Sequence, residues 1–151
     1  RAVRYTCGAR NREKEHRMLW SLRALLGYQL ARLLFRFRPA VQHPALWQWM
    51  QGQYSRKANL GDHDAQSFYG HILLFRGQGL GAREEGIRLL RLAANGGEPK
   101  AAYQMGMLCL KGDPTRAADA EQAKQWFTKA AAAGHPAARA RLEGLAAAAT
   151  T

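Results

Sequence analysis

Three segments of the chain share one pattern: an alanine, a glycine three residues on, a second alanine four residues later, and an apolar residue four beyond that. They are Ala58, Gly61, Ala65, Tyr69; Ala94, Gly97, Ala101, Met105; and Ala131, Gly134, Ala138, Leu142. The glycines lie 36 and 37 residues apart, a period that signals stacked supersecondary units rather than one closed core. The match extends beyond the pattern. Gly70 and Gly106 follow the apolar position in the first two units, Leu89-Leu90 sits where Trp126-Phe127 sits, and Ala93-Ala94 where Ala130-Ala131 sits.

Each element has a physical reason. Gly61, Gly97 and Gly134 come where a helix should stop, because glycine takes the left-handed conformation without a steric penalty. Pro99 and Pro136 follow two residues after their glycines and suit a helix's first turn, where a missing N–H is harmless. Gly70 and Gly106 fall inside expected helices at a cost of about 1 kcal/mol each relative to alanine. Such a cost at the same repeat position twice implies a neighbouring helix that leaves no room for a Cβ. Each unit is therefore a helical hairpin that must stack on the next to bury its apolar face. The spacing predicts helices near residues 12–37, 44–59, 62–75, 82–95, 99–110, 117–133 and 136–147, with Asp62 or Asp64 as an N-cap and Arg38-Pro39 as a break. No stretch alternates as a strand does.

At these residues the chain resembles a known family. Ala101, Tyr103, Met105 and Gly106, then Gly112, Ala123, Trp126-Phe127, Lys129-Ala130-Ala131 and Gly134, look like the signature of Sel-one-like repeats, relatives of tetratricopeptide repeats. The segment from Tyr54 to Gln66 is similar to that family's passage from second helix to first. The resemblance covers about residues 44–142 and implies an all-α fold: a right-handed α-α superhelix (solenoid) with an extra N-terminal helix. The expected division is a basic extension and amphipathic helix at 1–43, then a solenoid at 44–151. Within the solenoid come a half unit at 44–61, units at 62–97 and 98–134, and a cap helix at 135–147, where Glu143 replaces the second glycine. Leu73 and Cys109 stand where the family favours tyrosine. The resemblance implies a non-enzymatic adaptor or scaffold, commonly bacterial, that takes a partner protein or peptide on its concave face. Some secreted relatives carry a cysteine pair per unit, and this chain does not.

Charge is concentrated at one end. Residues 1–61 hold 12 basic and two acidic side chains, a net +10, whereas 62–151 hold 11 and nine, a net +2. The N-terminal end is therefore where an acidic partner would be met; a face that merely keeps the protein soluble is the plainer reading. Arg4, Arg10, Arg12, Lys14, Arg17, Arg32, Arg36 and Arg38 make up this basic patch, and an arm binding nucleic acid or an anionic membrane, with the repeats as platform, is the alternative function. The apolar stretch Met18–Phe37 contains Arg23 and Arg32, each adding roughly 2.5–3.5 kcal/mol near a bilayer centre, so a spanning helix is not expected. A signal peptide fits poorly too, since Arg32 interrupts the stretch and no small-residue cleavage site precedes Pro39. Met18 offers an alternative start. An amphipathic helix fits better, its wide apolar arc suited to packing on its own protein, with a membrane surface as the lesser reading.

Catalytic chemistry has no foothold. His16, His43, His63, His71 and His135 show no i, i+3 or i+4 pairing, so no metal site is expected; no cofactor is expected either. Gly77-Gln78-Gly79-Leu80-Gly81 lacks the strand and G-K-[ST] of a phosphate cradle. Glu84-Glu85 reads as a helix first turn. Cys109 is expected buried and inert and Cys7 lies in a tail; the absence of the cysteine pair found in secreted members of the resembled family implies a reducing, cytoplasmic setting, with a removed leader and a periplasmic location as the alternative. The candidate groove comprises Ser67, Phe68 and His71 in one unit and Tyr103, Gln104 and Met107 in the next, positions rotated away from the core-facing Ala65/Tyr69 and Ala101/Met105. For Phe68 and Tyr103 the competing reading is packing between repeats. Trp20, Trp47, Trp49 and Trp126 leave room for a homo-oligomer.

Overall fold

The computed structural model describes the backbone of residues 5–112 and 116–148 and the side chains of 18–112 and 116–147. Among these residues it is all-helical: α1 (Tyr5–Leu34), α2 (Arg38–Gln42), α3 (Pro44–Asn59), α4 (His63–Arg76), α5 (Gly79–Asn95), α6 (Pro99–Lys111), α7 (Ala120–Ala132) and α8 (Ala138–Ala148). The chain forms two compact units, Arg1–Lys57 and Ala58–Thr151. The division thus falls after Lys57, whereas the sequence placed it after residue 43.

In the first unit, Ala24, Tyr28 and Ala31 of α1 and Met50 and Tyr54 of α3 are buried. The Tyr54 hydroxyl donates to the Ala31 carbonyl at 2.7 Å, and the Tyr28 and Tyr54 rings meet edge to face at 6.1 Å. These contacts make α3 a partner of α1. The basic arm begins helically at Tyr5 rather than near Arg12. At its other end α1 stops at Leu34, not Phe37. Pro39 has no N–H to donate backwards, so Phe37 turns extended and Pro39 sits in the first turn of α2 instead.

Burial pushes the Tyr54 phenol up to about 12 from its ordinary 10.0, with Arg32 pulling the other way. The unfolded chain ionises first, so this tyrosine's contribution is complete below pH 10 and is lost as pH rises towards 12. Tyr54→Phe is expected to cost about 1 kcal/mol at neutral pH, the net worth of one buried hydrogen bond. It should also remove part of the alkaline loss; urea midpoints of the two proteins across pH 8–12, about the range set by an ordinary tyrosine, check both.

The second unit is a run of hairpins whose principal contacts join consecutive helices: α4 with α5, α5 with α6, α6 with α7, α7 with α8. Gly61, Gly97 and Gly134 have φ of +86°, +90° and +88°. Beyond the second and third of these, Glu98 N–H reaches Ala93 O at 3.0 Å and His135 N–H reaches Ala130 O at 2.8 Å. Such six-residue closures satisfy the helix's last carbonyls while the chain reverses. Asp62 caps α4 by accepting from Ala65 N at 2.9 Å, and Asp119 caps α7 by accepting from Gln122 N at 2.8 Å. That second cap starts α7 at Ala120 rather than Ala117, and α8 starts at Ala138 rather than Pro136. Gly79, at φ +82°, lets α5 begin before Ala82. Glu85 is consequently past the first turn, where it grips the Arg88 guanidinium through two 2.7 Å bonds that hold its carboxyl below the usual range.

The core of this unit runs from Leu74, Ile87 and Leu90 through Ala93, Ala94, Ala101, Ala102 and Met105 to Ala130 and Ala138. Cys109, Ala123 and Phe127 form a second cluster. Where helices cross, the expected glycines lie. A Cβ on Gly70 would sit 2.9 Å from Gly86 O, and one on Gly106 would sit 2.6 Å from Phe127 Cε1.

Candidate functional site

Ser67, Phe68 and His71 on α4 and Tyr103, Gln104 and Met107 on α6 occupy equivalent repeat positions, each pair 36 residues apart. Ser67 is buried; Phe68, Tyr103, Gln104 and Met107 are partly buried, and His71 is exposed with its ring 4.5 Å from Phe75. The second trio has the more built surroundings. Tyr103 stacks on the imidazole of His135, ring centres 4.2 Å apart and planes 12° apart, and lies 5.5 Å from Phe127. Its hydroxyl accepts from Arg141 Nε at 3.4 Å. Met107 packs on the Cys109, Ala123 and Phe127 cluster beside Leu110 and Trp126. Tyr103 therefore holds adjacent hairpins together through one part of its surface and remains accessible through another.

Arg141 is a member of this surface that the sequence reading missed. It stands 37 residues after Gln104, the equivalent position of α8, so extending the register by one repeat would have found it. Arg141 is exposed, and Lys100 lies close enough to help burial push the His135 imidazole down. The patch around Tyr103 thus combines an aromatic platform with cations at its rim.

The remaining candidates separate. Arg36 and Arg38 are exposed, while Arg32 is partly buried with its guanidinium 5.9 Å above the Tyr28 ring. Arg4, Arg10, Arg12, Lys14 and Arg17 have side chains outside the described residues, as does Cys7. Cys109 is a buried free thiol, pushed up by burial, with Sγ 3.2 Å from Gln122 Oε1. Among the described residues no group of His, Cys, Asp and Glu could hold a metal ion, and no helix is long and apolar enough to cross a membrane.

Hairpins that pack chiefly on their neighbours in sequence, turned by left-handed glycines at a constant period, define a helical-repeat solenoid. Residues 63–98 and 99–135 match the Sel1 repeat family, so the chain carries two Sel1 repeats. It is similar in structure to a protective antigen present in uropathogenic Escherichia coli strains that displays an SLR fold (TM-score 0.68, 26% identity over 81% of this chain). The chain spans only 26% of that antigen's length. A Sel1 repeat protein from Oxalobacter formigenes is similar too (TM-score 0.63, 27% identity), with 84% of this chain and 96% of that one covered. No curated protein sequence matches the chain. Sel1 repeat proteins generally mediate protein–protein interaction, and the family is typically a non-enzymatic scaffold.

Proposed function

We propose that this protein is a non-enzymatic adaptor that takes a peptide or helix of a partner protein on the first helices of its repeats, chiefly along α6 and α8. The observation that carries the reading is the Tyr103 platform: an accessible ring stacked on His135, with Arg141 of the next hairpin at its hydroxyl. Rigid aromatic groups flanked by arginine supply contact area and orientation at small entropic cost. The rim cations Lys100 and Arg141 favour a partner segment carrying carboxylates beside an apolar anchor. A cytoplasmic setting belongs to the same proposal.

Panning a random peptide library on the full chain tests it. Selected peptides should be enriched in acidic residues next to an aromatic or aliphatic one. Their affinity should fall about tenfold or more, on the order of 1.4 kcal/mol, for Arg141→Glu and for Gln104→Ala. Arg141 is exposed and Gln104 only partly buried, so the thermal midpoint should stay near that of the parent. Affinities unchanged in both variants would place binding elsewhere.

A further inference from the structure

α1 is apolar on two opposite sides. One side, Ala24, Tyr28 and Ala31, is buried inside the first unit. The other carries Leu19, Leu22, Leu26, Leu30 and Leu33 at spacings of three and four, which place them on one face of a helix. These leucines are 48–68% exposed, Leu26 the most. A continuous stripe of that size on a soluble surface marks an interaction site rather than the ordinary scatter of exposed leucines.

Charge selects the occupant. The helical period sets Arg23 at one edge of the stripe and Gln29 at the other, and Arg36 follows, exposed, in the turn just past α1. No Asp or Glu occurs between Glu15 and Asp62. Trp20, 58% exposed on another side of α1, has the Arg56 guanidinium 5.6 Å from its ring centre, which adds one more cation to the unit's exposed surface. A second copy of the chain would bring one +10 segment against another, and the self-repulsion opposes it. A nucleic acid would satisfy the arginines but leave the leucines in water. A lipid bilayer with anionic headgroups meets both, because leucines can enter the acyl boundary while long arginine side chains reach the phosphates. Since no described helix can cross a membrane, the contact is one of lying on the surface.

We propose that the outward face of α1 docks this protein on an anionic membrane surface, independently of the repeat face. Flotation of the full chain with vesicles tests this, using phosphatidylcholine alone or with about one-quarter phosphatidylglycerol, in about 50 mM salt, where screening is weak. The expected result is binding to the anionic vesicles, little to the neutral ones, and at least a tenfold weaker partition for Leu26→Glu/Leu30→Glu. Because both leucines already face water, helicity should be unchanged; Leu26→Gln alone should shift partition in the same direction with less disturbance. Arg23→Ser/Arg36→Ser should weaken binding to the anionic vesicles. Failure of the parent protein to float, or equal partition of the leucine variants, overturns the proposal. So does a dimer in solution that Leu26→Glu/Leu30→Glu dissociates, which would assign the stripe to a second copy.

Discussion

Phe127→Ala is expected to lower the stability of the repeat unit by about 3–5 kcal/mol, the range for deleting a fully buried aromatic. Phe127 is completely buried, with its ring set on the backbone of Gly106 and against Tyr103, Cys109 and Ala123. The loss approaches the whole stability of many domains. In a solenoid, however, each hairpin leans on its neighbours, so the damage should concentrate in α7 and α8. Amide exchange should therefore quicken there before it does in α4 and α5. The glycine beneath the ring supplies a sharper test. In the parent protein Gly106→Ala meets the ring at 2.6 Å and should destabilise by about 1–3 kcal/mol. Once Phe127 is alanine that obstacle is gone, and Gly106→Ala should stabilise by up to about 1 kcal/mol through helix propensity alone. Denaturant unfolding of the four proteins gives the cycle. Absence of the sign reversal would mean that Gly106 is required for a reason other than the ring.

The residues readable in advance are those whose backbone chemistry repeats. Gly61, Gly97 and Gly134 announce left-handed helix ends, Pro99 announces a first turn, and Gly70 and Gly106 announce close approach. All of this follows from one residue type at a fixed period. What escaped notice depends on contacts that leave no such mark. The grouping of α3 with α1 rests on a tyrosine hydroxyl donating to the Ala31 carbonyl, and any residue could present that carbonyl. Gly86 escaped because the equivalent position in the next unit is Ala123, so only half of the crossing carries a repeated residue. Arg141 carries no repeated mark because its equivalents on α4 and α6 are Phe68 and Gln104, although α8 continues the register. The candidate surface was legible as a set of equivalent positions on α4 and α6. Its composition was not, because the stacking of Tyr103 on His135 depends on how closely one hairpin approaches the next.

Gly70→Ala should destabilise, against the usual benefit of replacing a helical glycine. A methyl there would lie 2.9 Å from Gly86 O and 3.1 Å from Leu90 N, and one on Gly86 would lie 2.9 Å from Gly70 O. These obstacles are backbone atoms held in a helix, so no side-chain rotation relieves them; α4 and α5 must separate. Overpacking of this kind costs about 1–3 kcal/mol, more than the 0.5–1 kcal/mol that alanine gains in a helix. Gly86→Ala should cost a similar amount. The double variant should cost less than the sum, because helices already displaced by one methyl have room for the second. Gly52, in α3 with nothing within 4 Å of its would-be Cβ, is the control. Gly52→Ala should stabilise by about 0.5–1 kcal/mol, so the same chemical change carries opposite signs in one chain. Urea midpoints for the four variants read out both signs. If Gly70→Ala stabilised as Gly52→Ala does, the α4–α5 crossing would be looser than these distances require.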